Sequence, residues 1–138
     1  MDTKKLRITG AQLSFSVGAI QENKSKILKT LEEAEKINSD VVVFPELCIT
    51  GYPPEDLLLR ESFVGKNFAV LEEIAEFSGR TSGVIGFVDR SLDEQTTDNV
   101  DRKITNAAAI VQNGDVKGIY HKCYLPNYSV FDEARYFA

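Results

Sequence analysis

VVVFPELCITGYPPEDLLL, residues 41–59, decides how the rest of this 138-residue chain is read. Residues 41–44 form an apolar, largely β-branched run, short enough for a buried strand rather than a helix. Pro45 stops the run and Glu46 follows at once, so a carboxylate is delivered at the carboxyl end of the strand. That is where open α/β sheets gather their chemistry. Behind it Gly51, Tyr52, Pro53, Pro54, Glu55 and Asp56 continue neither a two-residue nor a 3.6-residue period and read as a punctuated loop. A strand, a carboxylate and a rigid loop in that order read as a site.

Upstream, Leu6 and Ile8 alternate against Arg7 and Thr9, which predicts a first strand with one face buried. Between the two strands Ile20, Ile27, Leu28, Leu31, Ala34 and Ile37 recur at three- and four-residue spacing, with lysines and glutamates filling the other side. This predicts an amphipathic helix over 19–38, ended by Asn38, Ser39 and Asp40, and a βαβ unit with parallel strands and a right-handed crossover. Downstream, Val64, Phe68, Leu71 and Ala75 share one face of a second helix over 61–77, and Ser78 and Gly79 supply its stop.

Residues 84–88 read as a third strand. The polar, acidic stretch 89–102, with Asp93, Glu94, Asp98 and Asp101, reads as a solvated loop without chemistry. Two further runs, 104–112 and 116–122, flank Asn113 and Gly114, the strongest short hairpin signal a sequence carries. The order β-α-β-α-β-β-β predicts an α/β fold, a mixed sheet with helices on one face. Because the strand 41–44 is apolar on both sides, a second layer, such as another sheet, must cover the other face.

Composition narrows the function class. An apolar fraction of 43% and a charged fraction of 27% describe one globular domain or part of one. A net charge of −5 without a basic stripe argues against nucleic acid and anionic membranes as partners and favours a small, diffusible substrate. There is no run of 18 apolar residues, and the first residues lack the apolar core of a signal peptide, so a cytoplasmic setting is expected. Cys48 and Cys123 have neither disulfide-framework nor metal-ligand spacing, so both are expected to be reduced thiols and no metal site is expected.

Glu46 and Lys122 are the two candidates for chemistry. A carboxylate just past a buried strand is partly desolvated, which raises its pKa towards the range of a general base unless a cation pulls it back. The same position also suits a carboxylate that caps a loop or pairs with an arginine. A lysine at a strand end is ordinarily solvated, but a glutamate and a lysine on one sheet edge can form a base and an oxyanion donor around a carbonyl. A nucleophile should complete the set. Cys48 lies two residues from Glu46, yet the apolar Ile49 beside it points to burial in a wall. Cys123 and His121 flank Lys122 and, by strand alternation, face away from it, which argues against a cysteine–histidine dyad. No glycine-rich phosphate loop is present.

Both candidates belong to longer motifs: FPE (44–46) with TGYPPEDLL (50–58), and YHK (120–122) followed by LPNY (125–128), VFDE (130–133) and RYF (135–137). With these the chain resembles the nitrilase, or carbon-nitrogen hydrolase, superfamily. More narrowly it resembles the glutaminase domain of glutamine-dependent NAD synthetases, along essentially its whole length.

The resemblance implies an α-β-β-α sandwich, of which residues 1–138 are the amino-terminal half. It also implies a Glu-Lys-Cys site that hydrolyses the side-chain amide of glutamine through a γ-glutamyl thioester. Position by position, Glu46 matches the general base and Lys122 the oxyanion-stabilising lysine. Glu133 matches a second family glutamate, which either positions Lys122 or takes part directly. Tyr128 matches a tyrosine near the glutamine pocket, a place that a packed aromatic would equally fill. The family's nucleophilic cysteine lies well beyond the lysine motif, so neither Cys48 nor Cys123 stands in its place.

The expectation is therefore a part of an amidase domain, inactive alone and without a cofactor of its own. Its partners would be the rest of that domain and a synthetase domain using ATP and Mg, within a homo-oligomer. Two other readings stay open: a carbon-nitrogen hydrolase acting on another amide or nitrile, and a non-catalytic assembly fragment whose sheet edges a partner covers.

Overall fold

The computed structural model describes residues 3–90, 104–129 and 131–138. Among these, five strands form one sheet in chain order: β1 Ile8–Gly10, β2 Val41–Val43, β3 Ser82–Arg90, β4 Ile104–Gln112 and β5 Asp115–His121. Helix α1 (Ile20–Lys36) joins β1 to β2, and α2 (Glu61–Phe77) joins β2 to β3. The first three strands run parallel, whereas β3–β4 and β4–β5 are antiparallel. The predicted mixed sheet is thus the observed one, and α2 spans the residues its periodicity marked out. Asn113 and Gly114 have φ of 50° and 85°, both positive as a tight hairpin turn requires.

Helix-period residues make one face of the sheet a core. Val42, Ile85, Phe87, Ala107, Ala109 and Val111 are buried beneath Ile27 and Leu31 of α1 and Val64, Leu71 and Ile74 of α2. Each fully buried aliphatic or aromatic side chain there contributes about 1.5–3 kcal/mol relative to exposure. Phe68 of α2 meets Phe87 edge-on, ring centroids 6.4 Å apart. Helix α2 stops because Ser78 turns extended (φ −70°, ψ 138°) while its hydroxyl donates to the carbonyl of Ala75 at 2.6 Å. A left-handed glycine cap is not used. The hairpin tip rests on this helix end: the amides of Asn113 and Gly114 donate to the carbonyls of Gly79 and Ser78 at 2.8 and 3.1 Å, and Gln112 Nε2 donates to the carbonyl of Arg80 at 2.7 Å.

The opposite face is apolar and open. Ile8 (61% exposed), Val43 (42%), Ile110 (43%) and Tyr120 (69%) lie on it. This corrects the expectation that Leu6 and Ile8 bury one face of the first strand. The parallel register sets Ile8 against Val41 and Gly10 against Val43, so Ile8 shares the face of Val43 and points away from the helices, and Leu6 is 66% exposed. It is the face that a second sheet covers in a sandwich, so the fold is half of one.

Two boundaries also differ from expectation. Asp89 and Arg90 belong to β3, not to a loop, because Thr105 and Ile104 of β4 pair with them; the rest of the stretch read as a solvated loop lies outside the described residues. Ile37, counted with the apolar stripe of α1, is its half-exposed C-terminal cap. Among the described residues no helix is long and apolar enough to cross a membrane.

Candidate active site

The loop after β2 separates chemistry from core within three residues. Phe44 still donates to the carbonyl of Val84 at 3.0 Å. The chain then crosses Gly86 of β3 so closely that a Cβ there would lie 2.4 Å from the nitrogen of Leu47 and 2.6 Å from the carbonyl oxygen of Pro45. Leu47 takes a positive φ of 50°, a conformation costing a bulky residue on the order of 1–3 kcal/mol, offset by its complete burial. Leu47, Cys48, Ile49 and Thr50 all go inward while Glu46 stays at the surface. The buried amide of Asn23 on α1 pins this loop, donating to the carbonyls of Ile49 (3.0 Å) and Ser16 (2.9 Å).

Cys48 is therefore wall. It is wholly buried, its Sγ lies 3.4 Å from the carbonyl oxygen of Gly86, and burial pushes its thiol up to about 12. A thiol so protonated is no nucleophile near neutral pH.

Lys122, Glu46 and Glu133 come together from three separated stretches. The backbone N–H of Lys122, directly after β5, donates to the carbonyl of Asn106 on β4 at 2.8 Å. Its Nζ then reaches Glu46 Oε1 at 2.8 Å and both oxygens of Glu133 at 3.2 and 3.0 Å. Glu133 opens a short 3-10 turn, Glu133–Arg135, and is only 6% exposed. A buried carboxylate survives when paired and hydrogen-bonded, and here the ammonium and the Tyr52 hydroxyl, which donates to Oε1 at 3.2 Å, do both.

Partial burial pulls the lysine pKa down, but the hydrogen bonds and charges of Glu46 and Glu133 outweigh it, and Lys122 is held above the ordinary lysine value. Tyr52 is likewise raised, first by burial and then by the negative charge of Glu133. The site therefore holds a fixed cation and a neutral phenol. Glu46 keeps 43% of its side chain exposed, so the desolvation expected just past a buried strand is only partial. Lys122 and the amide of Asn106, which donates to Glu46 Oε1 at 2.5 Å, set its position instead.

Glu46, Asn106 and Lys122 edge a cleft of about 210 Å³ whose walls include Phe44, Gly86 and Tyr120, while Tyr52 and Glu133 line a neighbouring cavity. Tyr128 is not among those walls. It is 67% exposed and meets Phe131 edge-on at 5.6 Å. Cys123 is exposed, its Sγ 3.6 Å from the carbonyl oxygen of His121, and His121 pairs with Asp89 at 2.7 Å. Sequence reasoning missed two members of the cluster, Asn106 and Tyr52. The available signal for Asn106 was an asparagine inside the apolar run of β4, and for Tyr52 its place in the rigid loop behind Glu46. Among the described residues no group of histidine, cysteine and carboxylate side chains could hold a metal ion.

Residues 7–138 match the family model for carbon-nitrogen hydrolases. The glutamine-dependent NAD(+) synthetase of Thermotoga maritima is 44% identical over 137 residues, covering 97% of this chain and 22% of that protein. The crystal structure of a glutamine-dependent NAD(+) synthetase from Cytophaga hutchinsonii superposes with a TM-score of 0.85 at 30% identity, over 98% of this chain and 22% of the other. An amidase of the nitrilase superfamily from Nesterenkonia shares the fold, with a TM-score of 0.76 at 21% identity over 96% of this chain and 47% of its own. The chain thus spans about 22% of the length of the relatives it matches.

Proposed function

This chain belongs to the carbon-nitrogen hydrolase family, and on that premise we propose that it supplies half of the ammonia-generating site of a glutamine-dependent NAD synthetase. The observation that carries this reading is the convergence of Glu46 and Glu133 on the Lys122 ammonium at the rim of an open cleft.

In the proposed reaction a cysteine outside these 138 residues attacks the side-chain amide of glutamine. Glu46 takes the thiol proton, and the thiolate sulfur bonds to the amide carbon. Lys122 donates to the oxygen on which negative charge develops, a task that suits an ammonium held firmly protonated. Glu46 returns the proton to the departing nitrogen, ammonia leaves, and a γ-glutamyl thioester remains. Glu46 then deprotonates water, whose attack releases glutamate and frees the thiol. Glu133, gripping Lys122 with both oxygens and steadied by Tyr52, positions the ammonium, while a place for Tyr128 near the glutamine pocket rests on the family resemblance alone, since it is exposed and outside the walls of this cleft.

Neither cysteine of this chain is placed to be the nucleophile: Cys48 is sealed in the core, and Cys123 reaches back to its own strand. The ammonia would be ligated to deamidated NAD by a synthetase domain that holds ATP and Mg, in a cytoplasmic homo-oligomer. The test is glutamate release from glutamine by the intact protein carrying this chain. Lys122→Met should lower kcat by about 10²–10³-fold, whereas the 138-residue chain alone should release none. Turnover by the isolated chain that disappears with Cys48→Ala or Cys123→Ala would refute the assignment of the nucleophile.

A further inference from the structure

We propose that Asn106 is a positioning residue that selects which oxygen of Glu46 serves as the base, an inference resting on the reading of Glu46 given above. Asn106 lies within β4, paired to Val88 of β3, and is only 4% exposed. Its Nδ2 donates to Glu46 Oε1 at 2.5 Å, and Lys122 Nζ donates to the same oxygen at 2.8 Å. Two donors on Oε1 occupy its lone pairs and fix the carboxylate plane, while Oε2 receives neither and keeps its lone pairs for a proton.

The geometry reaches further than one hydrogen bond. The backbone carbonyl of Asn106 accepts the N–H of Lys122 at 2.8 Å, so base and lysine are both referenced to one residue of the sheet. The groups facing Glu46 are the Lys122 ammonium, Glu133 beyond it and the Tyr52 hydroxyl on Glu133. Lys122 divides its donors between two carboxylates and turns about a flexible stem. Asn106 is the planar, uncharged donor on a strand, and it does not change state when Glu46 takes or gives a proton.

The experiment is the pH dependence of glutamate release by the intact protein, wild type against Asn106→Asp and Asn106→Ala. Asn106→Asp sets a second carboxylate against the first, so the acid limb of kcat/KM should move to higher pH by about one unit or more. In both variants kcat should fall by about 10–100-fold, with KM for glutamine changed less than about twofold. An acid limb that stays in place in folded variants would overturn the proposal, whatever the loss in kcat. A readout that needs no variant is the side-chain amide signal of Asn106 in wild-type protein carrying ¹⁵N-labelled asparagine. Its shift should titrate with the midpoint of the acid limb, and a flat response would equally overturn the proposal. Glu46→Gln separates the two readings. If it abolishes turnover while the Asn106 variants keep the wild-type limb, only the role of Asn106 falls; if it keeps turnover, Glu46 is not the base and both fall.

Discussion

The two faces of this sheet are built from the same strands by the same alternation and have opposite fates. On the helix side, Val42, Ile85, Phe87 and Ala109 are sealed beneath α1 and α2, while at the β5 edge Ile119 and Val116, in register with Ala109 and Val111, stay partly exposed. On the other side Ile8, Val43, Ile110 and Tyr120 stand in the open, and at that side's edge Glu46, Lys122 and Asn106 frame a cleft. From β2 to β4 one face is covered by this chain's own helices and spends its apolar area on stability. The other is left apolar, the chemistry of a surface meant to be covered, and its polar groups are held by one another rather than by a core.

The widest separation between the faces should appear in catalysis. Glu46→Gln in the intact protein is expected to cut glutamine hydrolysis by at least about 10²–10³-fold while the melting temperature stays close to that of wild type; a large drop in melting temperature would make Glu46 a structural residue. Stability should show the reverse. Phe87→Ala is expected to cost about 3–5 kcal/mol in urea unfolding, whereas Ile110→Ala in the 138-residue chain should cost under about 0.5 kcal/mol. The same Ile110→Ala change should become costlier, about 2 kcal/mol or more, in any longer protein that covers this face. An unchanged cost there would mean the face stays open.

Between these extremes lies the point where the faces meet. Gly86→Ala forces a methyl group onto the backbone of Leu47 and should destabilise by about 1–3 kcal/mol, while Gly118→Ala, whose Cβ meets nothing within 4 Å, should be near neutral. Smaller still is a pH effect. Lys122 is held above its ordinary pKa by Glu46 and Glu133, so the stabilisation from that pairing is complete below the unfolded lysine's pKa and is lost as pH rises through the folded value. The alkaline decline in wild-type melting temperature should therefore contain a component that Lys122→Met lacks. Least perturbing is a thiol assay: at pH 8 Cys123 should react promptly with a disulfide reagent and Cys48 only after unfolding, since one is exposed and the other's thiol lies near 12.

Local signals carried most of the fold. A period of 3.6 placed α2, the Asn113–Gly114 pair placed the hairpin, and the apolar run ending at Pro45 delivered Glu46 to a strand end. Alternation in Leu6 and Ile8 announced two faces but not which one looks inward, because that choice is made by register against Val41 and by helices elsewhere in the chain. Asp89 and Arg90 read as loop since their strand character comes from the partner strand, not from their own side chains. Asn23 falls on the buried side of α1 because backbone groups of Ser16 and Ile49 satisfy its amide. The pairing of Glu133 with Lys122 was suggested only by family resemblance and the contact of Glu133 with Tyr52 not at all, since no local pattern reports a contact made across the fold.

Hairpin tips are ordinarily where a chain best tolerates inserted sequence. Here the tip is seated on the segment after α2 through Asn113, Gly114 and Gln112, and the other end of the same two strands carries Asn106 and Lys122. A peptide spliced between Asn113 and Gly114 would unseat the ribbon that carries Asn106 and Lys122 to Glu46. An epitope tag placed there would loosen the Glu46–Lys122–Asn106 cluster from a distance, and a cross-link locking the tip to Arg80 would oppose it.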